Sequence, residues 1–521
     1  MKGILFVFLI FVLAPMEVVL GSTKFTKGGF VFEVLRNGKV LISCARTVHV
    51  SQVPFSEEFR IPSSVEYQGT VYEVQGIASD GFAGCTEIRH LVIEEGVQTF
   101  GQRAFQCCIN LLSVKLPASA GYGGQMFEGC HNLKSIVVDP NNDFIDSRDG
   151  CNAIIDIDTD ELVVACMATV IPPSVNSIGE EAFANCSGID EVVIPEGVKK
   201  IDDFAFANCI NLKHITLPLS LESIGEGVFA GCKSLESLYI PKNVRKIEEE
   251  GEKGMFAGCD NLISVIVDKS NPFYDSREGC NAIVETKSSK VVEGCIVSSL
   301  VEGLKDIGGY AFAGTGIHEI QIPQSMTSFS ANAFSDCDAL SKLTVHKDNP
   351  YYYAPDCCNA VIRKDSAILV LGCVGTAIPE GIKVIGEDAF LKKPVAKCIL
   401  RLPDGLQEIR ERAFLHCDNL FEVIIPSSVT SIGMSAFSGC PQLAVVRMSG
   451  QVNELDELLF ANCSNLAAID LPEGISVIRW SAFSGCSKLN HIVFPSSLTS
   501  IEDGAFFGCP CEEDIKKLKL R

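Results

Sequence analysis

Cysteine is the residue type with the most chemistry to offer in this 521-residue chain, which holds 24 of them. Most keep a fixed place. Cys417, Cys440, Cys463, Cys486 and Cys509 follow one another at steps of 23, each three residues after a phenylalanine. A thiol that recurs once per repeat at one position reads as a small buried hydrophobe rather than a redox centre, because free Cys is among the most buried residue types. Five cysteines stand outside that rhythm: Cys44, Cys107 beside Cys108, Cys357 beside Cys358, Cys398, and Cys511 near Cys509. In an exported chain these are the disulfide candidates, and sequence does not pair them.

Other reactive patterns are sparse. Asp156, Asp158 and Asp160 form a D-x-D-x-D run, but Glu161 stands where a calcium loop of the EF-hand type needs glycine. The equivalent places in two sister segments hold Lys287-Ser288-Ser289 and Lys364-Asp365-Ser366, so the run reads as a hairpin turn. The eight histidines are scattered, with no HExxH, no G-x-S-x-G elbow, no P-loop and no paired CxxC. No catalytic residue, metal site or cofactor is expected. Asn185 and Asn462 fit a weak N-x-Cys glycosylation pattern.

The elements that position these residues are repeats. Phe414, Phe437, Phe460, Phe483 and Phe506 recur every 23 residues, and ten earlier phenylalanines from Phe82 to Phe390 hold the same place. A fixed period in the low twenties marks a solenoid. Within one copy, Leu238 and Ile240 alternate with Tyr239 as a half-buried strand, and Pro241 ends it. The segment from Gly225 to Gly231 is expected to be a tight helical or 3₁₀ turn carrying Phe229 inward.

Three longer units, 127–183, 256–312 and 334–390, share a Cys-Asn-Ala-(Ile/Val)-(Ile/Val) motif, as at Cys280-Asn281-Ala282-Ile283-Val284. They read as a hairpin plus one extra coil. Residues 22–76, with an Asn37-Gly38 turn between two apolar runs, are expected to be an N-terminal β-hairpin cap. Residues 77–509 are then the solenoid, of about eighteen coils, and 510–521 a C-terminal tail.

Residues 1–21 read as a signal peptide: Lys2, an apolar run from Ile4 to Leu13, and Val19-Leu20-Gly21 before Ser22. Pro15 and Glu17 interrupt the run short of a membrane span, and none is expected after cleavage. A net charge of −22 argues against nucleic acid as a partner, since phosphate binding needs clustered Lys and Arg.

The repeat sentence Ile178-Gly179-Glu180-Glu181-Ala182-Phe183-Ala184-Asn185-Cys186, running on to Ile194-Pro195-Glu196-Gly197-Val198, closely resembles the BspA-like leucine-rich repeats. The likeness extends from about Phe25 to Cys509. It implies an α/β-type solenoid, mostly β, with a ladder of short parallel strands joined by helical or 3₁₀ turns. It also implies a secreted or cell-surface protein that adheres to other macromolecules, and no catalytic residues.

The surface that such a fold offers is the outward row of its main strands. Seven of the fourteen outward positions are Val, Ile or Tyr. Val92, Val193, Tyr239, Ile266, Ile424 and Val493 are the partner-binding candidates; β-propensity alone is the plain alternative for each. The expected partners are proteins, in the extracellular matrix or on cell surfaces. A self-assembling structural component and a metal-dependent carbohydrate binder or enzyme are the competing readings.

Overall fold

The computed structural model describes residues 24–44, 58–248, 251, 253–356, 358–393, 399–449 and 451–515. The signal-peptide assignment, Cys357, Cys398 and the last six residues lie outside them. The described chain is mostly β; its α-helix is a single turn, Glu512–Ile515. It divides into two compact units, residues 1–158 with 166–170, and residues 159–165 with 171–521.

The first unit starts with strands Lys24–Lys27, Phe30–Val34 and Val40–Cys44, paired antiparallel. Gly38, at φ 77°, supplies the left-handed turn between the last two, and the Asn37 side chain accepts from the Lys39 amide at 3.0 Å. Strand Val40–Cys44 then pairs parallel with Thr70–Ile77, which converts hairpin geometry into coil geometry. Phe30 and Phe59 lie 6.0 and 5.8 Å from the ring of Phe82, so aromatic side chains cover the first rung of the phenylalanine ladder. Strands Glu58–Ile61, His90–Ile93, Ser113–Leu116 and Ser135–Val138 form the parallel main sheet of this unit.

In the second unit the main strands pair in parallel groups, such as Ser237–Ile240 with Ser264–Val267 and Ile399–Arg401 with Glu422–Ile425 and Val445–Met448. A second ladder of two-residue strands, Ser177–Ile178, Lys200–Ile201, Ser223–Ile224 and Lys246–Ile247, stacks one isoleucine per coil inside. Between the ladders the phenylalanines stack nearly parallel. Phe414, Phe437, Phe460, Phe483 and Phe506 have successive centroid spacings of 5.2, 5.7, 5.5 and 5.1 Å.

The turn that carries each phenylalanine is built in two ways. Ala331–Phe334 is a 3₁₀ turn, as the sequence led one to expect. The turns around Phe206 and Phe229 are not helical. Phe204, Phe206 and Asn208 donate their amides to Glu226, Val228 and Ala230 of the next coil, at 2.8, 3.0 and 2.7 Å. An amide that bonds across to the neighbouring coil is lost to an i→i−4 helix bond. Alternate amides are aimed outward by left-handed residues two before and two after the phenylalanine, at Phe204 and Asn208, and at Gly227 and Gly231. Cys107 occupies such a left-handed position (φ 56°), which accounts for its place outside the cysteine rhythm.

The long units insert antiparallel hairpins, Ala282–Glu285 with Lys290–Gly294 and Ala360–Arg363 with Ile368–Gly372. These hairpin coils carry no phenylalanine at the ladder position. Gly294 and Gly372 lie against the following ring instead; a Cβ on either would fall 2.1 Å from Phe312 or Phe390.

Each long unit is anchored by one buried asparagine: Asn142, Asn271 or Asn349. Asn349 donates to the Pro323 and Met326 carbonyls at 2.7 and 3.1 Å and accepts from the Tyr351 and Tyr352 amides at 2.8 Å each. The Asn349→Ala variant removes four hydrogen bonds to the backbone, three of them buried, so it should lower unfolding free energy by about 2 kcal/mol in urea denaturation. Unchanged stability would show that these bonds carry no net energy.

Candidate functional site

Two arrays recur along the coils: the buried thiols and the outward row of the main sheet. The thiols have a defined task. Cys209, Cys232, Cys440, Cys463 and Cys486 donate Sγ–H to the carbonyls of Phe183, Phe206, Phe414, Phe437 and Phe460 in the preceding coil, at 3.1–3.2 Å. Burial pushes the Cys463 thiol up to about 12 and raises Cys209 and Cys440 well above the usual range. These sulfurs are therefore unreactive hydrogen-bond donors.

The first rung has no preceding phenylalanine turn. There Cys85 is hydrogen bonded to Cys44 of the cap. That bond holds the Cys44 thiol down, at about 7, and raises Cys85. Cys511 lies beside Cys509, which is hydrogen bonded to Cys486. Among the described residues every cysteine is a free thiol, Cys44, Cys107 and Cys511 included.

One rung is occupied by an amine. Lys393 stands three residues after Phe390, in the cysteine place, and is 1 % exposed. Among the described residues its Nζ has no hydrogen-bond partner. Burial lowers it to about 8, against opposing attraction from Cys337, Cys417, Asp388 and Cys373. Sequence reading passed over it, although the spacing from Phe390 marks it.

The outward row lies in register. In the first unit Val92 stands beside Lys115, and Lys115 beside Val137. In the second, Val193 neighbours Thr216, Tyr239 neighbours Ile266, Ile424 stands between Arg401 and Arg447, and Asp470 neighbours Val493. Val193, Tyr239, Ile266 and Val493 are 47–60 % exposed, whereas Val92 and Ile424 are half-buried. The Tyr239 hydroxyl donates to Asp268 at 2.7 Å, which raises the phenol and lowers the carboxylate. Tyr239 and Ile266 thus form an apolar pair with one fixed polar tip. A cleft of about 420 Å³ opens beside strand Glu319–Ile322, lined by Val297, His318 and Lys342. It arises where residues 296–300 run alongside the strand, which sequence reading did not anticipate.

Neighbouring coils are also locked by carboxylates. Glu196 accepts from the Leu219 and Ser220 amides, Glu302 from Gln324 and Ser325, and Glu473 from Ser496, at 2.9–3.2 Å. These bonds hold all three carboxyls below their ordinary range. A depressed folded value stabilises above the unfolded value, near 4.5, and that contribution fades as pH falls through the folded one. Urea midpoints should therefore drop below pH 4.5, and the Glu196→Gln/Glu302→Gln/Glu473→Gln variant should show a shallower acid limb. An identical limb would remove these contacts from the account.

The Asp156, Asp158, Asp160 run lies at the end of strand Ile154–Asp156 and in the turn leading to Glu161–Val164. Among the described residues no three His, Cys, Asp or Glu side chains are arranged to hold a metal ion, and no helix is long and apolar enough to cross a membrane.

Comparison with known proteins places the chain by its repeats. A family model described as the BspA type leucine-rich repeat region matches in six copies, over residues 57–153, 165–277, 293–357 and 383–512. Among solved structures, a leucine-rich cell surface protein from Faecalibacterium prausnitzii is 24 % identical, with 94 % of this chain and 92 % of that one covered and a TM-score of 0.35. A leucine-rich repeat protein from Eubacterium ventriosum is 21 % identical, with 70 % and 93 % covered and a TM-score of 0.42. One from Bacteroides ovatus is 24 % identical, with 95 % and 92 % covered and a TM-score of 0.29. No curated protein matches.

Proposed function

Because the chain belongs to the BspA-type leucine-rich repeat family, we propose that it is an exported, non-enzymatic protein that binds other proteins through the exposed face of its main sheet. Export rests on the charged and apolar start of the sequence, Lys2 followed by Ile4 to Leu13. The observation that carries the binding reading is the adjacent pair Tyr239 and Ile266, each about half exposed on a strand whose alternate residues fill the core. Tyrosine with a satisfied hydroxyl and a flanking aliphatic side chain is the composition enriched at the centres of protein interfaces. The strands hold the pair in place, so a partner need not order it on docking.

The test is a binding screen of the secreted chain against immobilised extracellular-matrix proteins and whole cells. Saturable binding is expected, and the Tyr239→Asp/Ile266→Asp variant should weaken it at least about a hundredfold, or ~2.7 kcal/mol. Since both side chains point to solvent, the variant should stay folded, with its unfolding midpoint lowered only by the lost Tyr239–Asp268 bond and the two facing carboxylates. Full binding by the variant would remove the sheet face from the proposal. Binding to nothing, with concentration-dependent self-association instead, would favour a structural component.

A further inference from the structure

Each long unit projects an aromatic side chain two residues after its buried asparagine: Phe144, Phe273 and Tyr351, which are 64, 47 and 44 % exposed. Beneath Phe273 lies an open cleft of about 640 Å³, within the size range of small-ligand sites. Its lining carries Lys199, Lys242 and Arg245, with Ser220, Asn243 and one acidic residue, Glu222. Arg245 is ion-paired with Glu222 at 2.5 Å. Among the described residues Lys199 and Lys242 make no ion pair, and the Lys242 charge is close enough to help lower the Asp268 carboxyl.

The same fold is built three times, which supplies an internal comparison. The asparagine of each unit holds the coil before it, Asn271 at Pro241 and Val244, Asn142 at Pro117 and Ala120, Asn349 at Pro323 and Met326. That register aligns Lys242, Arg245 and Lys199 with Ala118, Gly121 and Gln75 in one unit and with Gln324, Thr327 and Ser289 in the other. The aromatic projection is common to all three, while the cations gather under Phe273. They do so in a chain of net charge −22, where a basic floor is against the general trend.

We propose that the cleft under Phe273 binds an acidic glycan, with a sugar ring packed on the phenyl face and its sulfate or carboxylate groups held by Lys199, Lys242 and Arg245. A simple anion would be served by the cations alone. The ring wall adds an apolar surface that suits the C–H face of a sugar, and Ser220 and Asn243 add polar groups for its hydroxyls. This surface is separate from the Tyr239–Ile266 pair and does not depend on it.

The test is isothermal titration of the full chain with a sulfated heparin-derived tetrasaccharide. Saturable binding is expected, weakening as ionic strength rises. The Lys199→Gln/Lys242→Gln and Phe273→Ala variants should each lose at least about tenfold in affinity. The Phe144→Ala variant, which removes the equivalent ring in the unit whose aligned positions are Gln75, Ala118 and Gly121, should bind as the parent does. The Tyr239→Ala/Ile266→Ala variant, which adds no charge near Lys242, should also bind the tetrasaccharide fully, which separates this site from the protein-binding surface. Absence of binding, parent-like affinity in the cleft variants, or displacement by an equal concentration of inorganic sulfate would each overturn the assignment.

Discussion

Replacing Lys393 with methionine is expected to stabilise the protein by about 3 kcal/mol at pH 7, from the ~1.36 kcal/mol carried by each pKa unit between 10.5 and about 8. The amine occupies a rung that other coils fill with a thiol, is sealed from water, and has no hydrogen-bond acceptor among the described residues. At pH 7 the native state still carries the proton and bears the cost of a buried ammonium. Methionine keeps the length and flexibility of the side chain without the charge. The sign follows from linkage. Between pH 8 and 10.5 the unfolded chain binds more protons than the native one at this site, so parental stability climbs as pH rises through that window. The gain from Lys393→Met should therefore shrink to under about 1 kcal/mol by pH 10. Urea denaturation of parent and variant at both pH values measures it. An equal gain at the two pH values would show that packing, not charge, sets the difference.

Truncating the middle of the aromatic stack is expected to have the opposite effect. The Phe437→Ala variant should lose about 3–5 kcal/mol, the range for a buried phenylalanine. Phe437 is 0 % exposed and packs between Phe414 and Phe460 at 5.2 and 5.7 Å. Its removal forfeits ring burial and two stacked contacts, and leaves a void that rigid neighbouring coils cannot close. Because repeats contact mainly their neighbours, the loss should appear as local opening near residues 409–460. Hydrogen exchange resolved by peptide would show faster exchange there than in coils around Phe206. A uniform change across the second unit would instead mark it as one cooperative block.

The spacing of phenylalanine and cysteine carried most of the fold. A residue type recurring every 23 positions can only stack on itself, so the ladder, the strand after it and the proline that ends the strand were legible. The phenylalanine turns were less so. Their helical reading followed from short local glycine-rich segments, but at Phe206 and Phe229 the deciding bonds run to the next coil, a relation that one coil's sequence does not contain. The asparagines of the long units stand two residues before an aromatic in all three copies, but their fourfold hydrogen bonding was not legible. Lys393 was legible in principle, since the count from Phe390 puts an amine in a thiol's place. The cleft under Phe273 was not, because Lys199 stands 43 and 46 residues before Lys242 and Arg245, and only the register brings them together.

The thiol ladder also explains why cysteine, rather than valine or alanine, fills the turn. Phenylalanine carbonyls accept from the amide three residues on and from the thiol of the following coil, as Phe460 does from the Cys463 amide at 3.2 Å and the Cys486 thiol at 3.1 Å. A hydrocarbon there would leave the second lone pair empty in a buried place. The same device ties one coil to the next without any disulfide.

The central claim is that a partner docks on the outward row of the main sheet. Hydroxyl-radical footprinting of the chain, alone and saturated with the tightest ligand from the matrix panel, tests it most directly. The account predicts that Tyr239, Ile266 and Val193 lose reactivity in the complex while Ile263 and Phe421, exposed to 65 % and 47 % beside the strand ends, keep theirs. Protection of Ile263 and Phe421, with Tyr239 and Ile266 as reactive as in the free chain, would contradict it.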